Sequence, residues 1–455
     1  MNESVRQAVD GPREGRTVRP WKIAAATLIG VSIEWFDYGI YGFAAAVVFP
    51  TAFFPELDPA VAILASFATL AVGSLGRPFG ALLFGHIGDR YGRRRSMVLS
   101  LTLMGAMTVA VGLLPTYAQI GALAPILLLL VRIAQSLAVG GEWGSALLFA
   151  VESAPPERRA FFGSFTQMGS GLGAFMTAGA FSLIGLLGDQ AVLEWAWRLP
   201  FLASIVLIVL GLLIRTQLPE TEVFTEDEQI EETRKRPPIL ALLKDHWAVA
   251  LLSIGAFLVP VSGYYIVGSF FASYATGTLG LSTGAIASAG LLSSLVSIVA
   301  TPIAAILADR IGVRRMTVIG LALHLVIALP IFLLLDQGTV LAFTLAGALG
   351  MLISTLAYST VGTLVAGWYP TGVRQTGVSL TYQITGVIGG LMPALSQTLS
   401  IAGHGGWALV ALLFAAMSAI SLVSVLLKRS AGYLDLKGSN SIGTIAPAVQ
   451  GEGLA

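Results

Sequence analysis

The amino-acid sequence predicts an all-α membrane protein with twelve transmembrane helices in two halves of six. The chain has 455 residues, of which 55% are hydrophobic and only 11% charged, whereas an average soluble protein is about 25% charged. Twelve apolar runs of about 20 residues follow one another along it. A short charged motif occurs once in each half. Because so few charges cannot cover a water-facing surface, most of the chain must face lipid.

The apolar runs divide into two groups of six around a polar stretch. The first group lies near residues 22–49, 60–87, 96–115, 121–150, 160–188 and 195–217. The second lies near residues 246–275, 282–307, 316–335, 339–368, 374–402 and 405–427. The sequence thus predicts an N-terminal arm (1–21), a first six-helix half (22–217), a linker (218–245), a second six-helix half (246–427) and a tail (428–455).

The basic residues predict the orientation in the membrane. All but three of the 26 Lys and Arg residues fall in the N-terminal arm, the linker, the tail and the loops of one side; the three others are Arg77, Arg132 and Arg198. Cytoplasmic loops carry the excess of Lys and Arg in membrane proteins. We therefore expect a multi-pass protein of the cell membrane with both termini in the cytoplasm.

Composition also excludes several classes of function. A net charge of +1 with scattered basic residues does not predict nucleic-acid binding. Without Cys, and with four His residues of which none forms an i, i+4 pair, we expect no metal site and no cofactor. The sequence shows no nucleophile–base pair, so an enzyme is not expected. The partner that composition alone indicates is the lipid bilayer.

The repeated motif resembles the signature loop of the major facilitator superfamily, Gly-x-x-x-Asp-Arg-x-Gly-Arg-Arg. The first copy matches at Gly85, Asp89, Arg90, Gly92, Arg93 and Arg94. The second copy keeps Asp309 and Arg310 but has Ala305 and Val313 at two of the motif positions. The resemblance implies the major facilitator fold, in which two parallel halves of six helices enclose a midplane site.

Further motifs are similar to the metabolite:proton symporters, which carry proline/betaine, shikimate, 2-oxoglutarate or citrate. These motifs are Glu34-Trp35-Phe36-Asp37-Tyr38-Gly39-x-Tyr41-Gly42, Arg77-Pro78-x-Gly80, Gln135-x-x-x-Val139-Gly140-Gly141-Glu142-Trp143, Arg158-Arg159 and Trp197-Arg198-x-Pro200-Phe201. Since members of this family carry chemically different molecules, the resemblance does not identify the substrate.

The charges inside the predicted spans are candidates for proton coupling, because a charge at the bilayer centre is costly and usually functional. Helix rise places Asp37 and Arg132 near mid-depth, and Glu34 shares a helix face with Asp37. Desolvation disfavours an ionised carboxylate and a neighbouring Arg favours it. In related sugar–proton symporters an Asp in helix 1 and an Arg in helix 4 couple protons, and Asp37 and Arg132 occupy the matching places.

An alternative interpretation of Asp37 and Arg132 stays open. The ions can instead form a static buried pair that fixes helix packing. Arg77 and Glu142 lie nearer the cytoplasm and are expected to join an intramembrane ion-pairing network with Glu34.

The signature loop is predicted to be a cytoplasmic gate. We expect Asp89 to accept hydrogen bonds from the N-terminus of span 11 and the Arg residues to pair with acids across the halves, so that these contacts bias the two access states. The gate residues are Gly85, Asp89, Arg90, Gly92, Arg93, Arg94, Asp309 and Arg310.

Polar and aromatic residues at mid-depth are candidates for substrate contact. Aromatic faces bind quaternary ammonium groups, and Arg binds carboxylates. The candidates are Trp35, Tyr41, Arg132, Gln167, Tyr264, Tyr265, Tyr382 and Gln383. His324 is expected to be hydrogen-bonded packing, and the Gly-rich run from Gly163 to Gly179 is expected to allow close helix contact rather than to bind a phosphate.

Together these features predict a proton symporter that imports a small carboxylate-bearing metabolite by alternating access. The expected partners are this small-molecule substrate, protons and the lipid bilayer, and we expect the protein to function as a monomer. The substrate is either an osmolyte such as proline or glycine betaine, or an organic acid. The alternatives are a proton-coupled exporter or antiporter of organic acids, and a transport-inactive metabolite sensor. The lack of Pro in span 5 is unlike superfamily antiporters and favours import.

Overall fold

The computed structural model describes residues 20–91, 93–140, 142–216, 238–281 and 283–428, and all regular structure within them is helical. The first half contains α1 (Pro20–Val47), α2 (Pro59–Tyr91), α3 (Arg93–Leu113), α4 (Leu123–Val139, with a second segment Glu142–Glu152), α5 (Arg159–Gly185) and α6 (Arg198–Thr216). The second half contains α7 (Trp247–Gly277), α8 (Thr283–Ile311), α9 (Val313–Ile327, with a second segment Pro330–Leu335), α10 (Val340–Ala366), α11 (Thr371–Ala402) and α12 (Ala408–Leu427).

These helices confirm the predicted fold class. Among the described residues, eight helices are long and apolar enough to cross a membrane, and α3, α4 and α6 contain shorter apolar helices. The remaining helix, α9, is interrupted just before Pro330, because proline has no N–H to continue the hydrogen-bond ladder. The result is two groups of six helices on either side of residues 217–237, which lie outside the described residues.

Several helix ends differ from the sequence-based prediction. The Asp-Arg pair of each motif copy lies on a helix rather than in a loop, since α2 continues to Tyr91 and α8 to Ile311. Arg374, expected in a loop, lies in the first turn of α11. Part of the predicted linker forms a helix, Pro238–Asp245, with Leu242 buried. Apolar runs end where charges begin, but a helix continues into the headgroup region because its backbone bonds do not require apolar side chains.

Two helices contain interruptions that the apolar pattern does not show. The two segments of α4 are separated at Gly140, and Gly141 lies outside the described residues. In α7, π-helical turns occupy Leu258–Ser262, which includes Pro260, and Ile266–Phe270. Such turns are frequent at functional sites.

The two halves pack together unevenly. We call the face at which α1 begins and α12 ends the terminal face. Away from this face, one apolar cluster of the first half, which includes Phe49, Phe53 and Trp197, contains first-half residues alone. Near the terminal face, Trp143 and Leu147 of the first half belong to the core of the second half. The halves also meet where α5 packs along α8 and α2 along α11. The terminal face is therefore the more tightly closed end.

Glycines from the quoted motifs allow two close helix crossings. A Cβ at Gly80 of α2 would lie 1.9 Å from the Leu137 carbonyl oxygen of α4, and one at Gly140 would lie 2.1 Å from the Arg77 carbonyl oxygen. In the Gly-rich run of α5, a Cβ at Gly173 would lie 2.7 Å from the Phe36 nitrogen of α1. The small residues of this run therefore permit helix packing, as the sequence predicts.

Candidate functional site

Asp37 lies at the centre of a buried polar network within the first half. Its carboxylate accepts hydrogen bonds from the Thr108 hydroxyl of α3 and from the Gln135 side-chain amide of α4. The Gln135 nitrogen also lies 3.0 Å from the Thr108 oxygen. Asp37 is 4% exposed. The carboxylate therefore faces the interior of the bundle and not the acyl chains.

Arg132 reaches Asp37 through Gln135 rather than by a direct ion pair. One Arg132 Nη donates to the Gln135 side-chain oxygen, and the described residues contain no direct Asp37–Arg132 ion pair. The guanidinium lies 4.2 Å from the centroid of the Tyr41 ring, whose hydroxyl bonds Thr69 at 2.7 Å. The expected proximity of the two ions holds, but an amide stands between them.

Arg77 lies nearer the second half than Arg132 does. Its guanidinium carbon is 4.8 Å from the centroid of the Tyr38 ring, and a Cβ at Gly386 of α11 would lie 3.4 Å from its Nη1. Glu34 is 8% exposed, and its charge acts on Arg77. The Glu142 side chain lies outside the described residues, so its predicted place in this network stays a prediction.

Aromatic side chains of both halves meet at the same depth. Trp35 packs edge-to-face against Tyr264, and Tyr38 against Tyr265, with centroids 5.5 and 6.0 Å apart. Trp35, Tyr38 and Tyr264 are partly exposed although they lie in the middle of long helices. Tyr41, another aromatic candidate for substrate contact, is instead fully buried in the core of the first half. Its ring lies against the Arg132 guanidinium there.

A second aromatic group lies between this centre and the terminal face. Trp143 of the first half stacks on Tyr382 of the second, with centroids 3.5 Å apart and planes 4° from parallel. The hydroxyls of Tyr382 and Tyr358 are 3.0 Å apart, and Gln383 donates to the Gly140 carbonyl oxygen at 3.0 Å. Tyr382 and Gln383 therefore join α11 to α4 at the interruption of α4.

Gln167 and His324 are both buried. The Gln167 amide nitrogen has no partner among the described residues, and a Cβ at Gly362 of α10 would lie 3.0 Å from it, so Gln167 faces the second half. His324 uses both ring nitrogens, toward the Gly320 carbonyl at 2.9 Å and the Ser354 hydroxyl at 3.1 Å. His324 is hydrogen-bonded packing, as the sequence predicts.

Ionic contacts join the halves at the terminal face. Asp309, at the end of α8, accepts from the backbone N–H groups of Ala160 and Phe161 at the start of α5, at 2.9 and 3.0 Å. Arg374 of α11 pairs with Glu152 of α4 at 2.8 Å. The second motif copy thus places a carboxylate at a helix N-terminus, where the helix dipole favours negative charge.

Most side chains of the first motif copy lie outside the described part of the structure. Gly92 is not among the described residues, and the side chains of Asp89, Arg90, Arg93 and Arg94 are not described either. The predicted contact between Asp89 and the start of α11 therefore stays a prediction. Arg310 is exposed, which fits a headgroup position.

Sequence reasoning missed four residues of this site. Gln135 lies in a quoted motif, three residues after Arg132 and hence on the same helix face, and this spacing is the signal that could have identified it. Tyr38 lies next to Asp37 and contacts both Arg77 and Arg132. Thr108 and Tyr358 carry no signal in the sequence, because only folding brings α3 and α10 to the centre.

Comparison with known proteins agrees with this architecture. Residues 22–237 match the family model "Sugar (and other) transporter", and residues 252–441 match "Major Facilitator Superfamily". An inner membrane metabolite transport protein of Escherichia coli K12, YhjE, is 38% identical over 91% of this chain and 95% of its own. The chain belongs to the major facilitator superfamily. It is accordingly a secondary transporter of metabolites and not an enzyme.

A second relative is a named metabolite carrier, and a solved transporter structure shares the fold. The shikimate transporter of Escherichia coli K12 is 35% identical over 90% of this chain and 95% of its own, in agreement with the predicted similarity to metabolite carriers. A solved structure of the proton:xylose symporter XylE covers 92% of this chain and 97% of its own, with a TM-score of 0.73 and 14% identity. At that identity the likeness concerns the fold. This major facilitator protein is a multi-pass membrane transporter.

Proposed function

We propose that this transporter is a proton symporter that imports a small carboxylate-bearing metabolite across the cell membrane. The supporting observation is the network of Asp37, Gln135 and Arg132, a carboxylate and a guanidinium held together in the interior of the bundle by an amide. An intramembrane acid of this kind marks a proton pathway in many transporters. Glu34 is the second acid of the proposed proton path.

The substrate is proposed to bind between the halves, among Trp35, Tyr38 and Tyr264. Arg77 faces α11 of the second half, since a Cβ at Gly386 would lie 3.4 Å from its Nη1, and it supplies a guanidinium for a carboxylate. Arg132, our sequence-based candidate for this task, is directed at Gln135 and Tyr41 within the first half, so we assign the carboxylate to Arg77 instead. Shikimate, which names one relative, carries such a carboxylate.

The aromatic rings suit two substrate classes. They can surround the ammonium group of an osmolyte such as proline or glycine betaine, or the apolar body of an organic acid. Gln167, Tyr265, Tyr382 and Gln383 are proposed as further contacts. Both classes share the carboxylate, which is the part that Arg77 recognises.

Alternating access is proposed to follow from the closed terminal face. The distribution of basic residues favours termini in the cytoplasm, and with that orientation the contacts of Asp309 and of Glu152 with Arg374 would close the cytoplasmic side. Their opening, with rocking of the halves, would release substrate and proton inward. All of these parts lie in one chain, which supports function as a monomer.

Uptake by proteoliposomes tests the proposal. Detergent-purified protein is first screened by thermal shift against amino acids, betaines, monocarboxylates, dicarboxylates and aromatic acids, and the stabilising compound is used as radiolabelled substrate. An inside-alkaline pH gradient should drive its accumulation. Asp37→Asn should abolish accumulation but leave exchange, because a neutral amide cannot release a proton.

An acid of the second half provides the control, and three results would contradict the proposal. Asp336→Asn removes an acid that bonds Tyr274 in the second half and should leave coupling intact. Uphill uptake by Asp37→Asn would remove Asp37 from the mechanism. Outward transport driven by the same gradient would identify an antiporter, and saturable binding without flux would identify a sensor.

A further inference from the structure

Gln135 makes a pair of contacts that separates the two central charges. Its side-chain oxygen accepts from Arg132, and its side-chain nitrogen donates to Asp37. The same nitrogen lies 3.0 Å from the Thr108 oxygen, and Gln135 is fully buried. Every polar atom of this amide therefore has a partner, and the two charges fix its orientation, with oxygen toward the cation and N–H toward the anion.

The groups around Asp37 come from several helices. Arg132 of α4 and Arg77 of α2 are the charges whose fields act on it, and Glu34 lies one turn away on α1. From α3 and α5 the nearby polar residues are Thr108 and Thr177, which do not titrate. The carboxylate thus receives two hydrogen bonds, and one of them comes from an amide that also bonds Arg132.

We propose that Gln135 is a positioning residue that ties the charge of Asp37 to the position of Arg132. The inference rests on the proposed proton symport, whose coupling step it describes. While Arg132 holds the amide oxygen, the amide N–H groups point at Asp37 and stabilise the ionised form. When the Arg132 side chain turns away from the amide during the change of access state, the oxygen loses its donor and the amide is free to turn.

This turn links the position of the Arg132 side chain to the uptake and release of a proton. Once the N–H groups leave Asp37, its carboxylate oxygen forms an O–H bond with a proton taken from water on the open side. When Arg132 returns, the amide donates again, that O–H bond breaks, and the proton leaves to water on the other side. Gln135 itself neither gains nor loses a proton, because a side-chain amide does not titrate in this range.

Infrared spectroscopy tests this without a known substrate. The full-length protein in detergent is titrated with acid and base, and the protonated-carboxyl band that disappears in Asp37→Asn is assigned to Asp37. Gln135→Leu has a similar size but no polar atoms. It should raise the pH midpoint of this band by about one unit, since a hydrogen bond to a charged group is worth about one such shift. Ser136→Ala, on the adjacent residue, is the control and should leave the midpoint unchanged.

A double-mutant cycle tests whether Gln135 transmits the influence of Arg132 to Asp37 or only packs beside it. Arg132→Met should raise the midpoint, and its effect should be smaller when Gln135→Leu is already present, because part of the influence of Arg132 passes through the amide. Fully additive effects would overturn the proposal, as would an unchanged midpoint in Gln135→Leu. Gln135→Asn, too short to reach both charges, should behave like Gln135→Leu and serves if the leucine variant does not fold.

The outcome is distinguishable from failure of the proposed function. Proton-driven uptake by the wild type together with an unchanged midpoint in the Gln135 variants would overturn the positioning role alone. Absence of any proton-driven uptake would overturn symport, and the coupling role of Gln135 would fall with it. If no carboxyl band depends on Asp37, then Asp37 does not titrate and the positioning role is overturned by that result alone.

Discussion

At the scale of single residues, the site holds each charge by a different contact. Asp37 is held by hydrogen bonds from α3 and α4, whereas Arg132 lies against the face of Tyr41. A cation over an aromatic ring gains about 2 kcal/mol when both are shielded from water. The stem of Arg132 also needs Gly73, where a Cβ would lie 2.6 Å from its Cγ. The position of this cation is therefore set by packing as much as by charge.

We expect Tyr41→Phe and Tyr41→Leu to differ. The phenylalanine keeps the ring beneath Arg132 and loses the bond to Thr69, so proton-driven uptake should stay within about twofold of wild type. The leucine removes the ring and should lower uptake at least tenfold, consistent with a loss of about 2 kcal/mol. Initial uptake rates measure both, and equal rates in the two variants would show that the ring does not position Arg132.

At the scale of helices, motif glycines decide how closely α2 and α4 approach. The sequence predicted the spans and identified the Arg77-Pro78-x-Gly80 motif, but a motif does not reveal which backbone it touches. The structure shows Gly80 against the Leu137 backbone, next to the interruption of α4. This crossing places Arg77 and Arg132 on neighbouring helices.

Substitution of Gly80 should lower the stability of the protein, whereas substitution of another helical glycine should not. Gly80→Ala forces a Cβ onto a backbone oxygen, so α2 and α4 must separate, and overpacking of this kind costs about 1–3 kcal/mol. Gly179 of α5 has nothing within 4 Å of its ideal Cβ, so Gly179→Ala is the matched control. Thermal unfolding in detergent should show a lower midpoint for Gly80→Ala alone. Equal midpoints would mean that the crossing is loose.

At the scale of the whole molecule, contacts between the halves cluster on the side of the terminal face. They include the Glu152–Arg374 ion pair, the Asp309 cap on α5 and the stack of Trp143 on Tyr382. Thr363 of α10 is buried in the same region, where a Cβ at Gly163 of α5 would lie 2.7 Å from its hydroxyl oxygen. Because the chain has no Cys, Thr363→Cys gives a single thiol that reports opening of this face.

Removal of the ion pair should open the terminal face. In the Thr363→Cys background, Arg374→Gln should speed labelling by a thiol reagent about fivefold, since loss of about 1 kcal/mol shifts the closed–open ratio by that factor. Arg314→Gln is the control, because Arg314 bonds carbonyls at the end of α12 within its own half. Equal labelling in both variants would show that the pair does not hold the halves together.

The aromatic stack should contribute to the same closure. Trp143→Ala removes the ring that stacks on Tyr382 and should speed Thr363→Cys labelling, whereas Trp143→Phe retains an aromatic contact and should change it little. Trp197→Ala creates a similar cavity inside the first half and controls for general loosening. If Trp197→Ala labels as fast as Trp143→Ala, the effect is destabilisation and not gating.

The sequence by itself determined the all-helical membrane fold, the division into two halves and the identity of the buried charges. Apolar length and scarce charge suffice for this, because lipid accepts few other arrangements. Only the tertiary structure decided that Gln135 stands between Asp37 and Arg132, that Arg77 and not Arg132 lies near the second half, and that Asp309 caps α5. These contacts join residues far apart in the chain, and side-chain direction across a helix interface depends on how the helices cross.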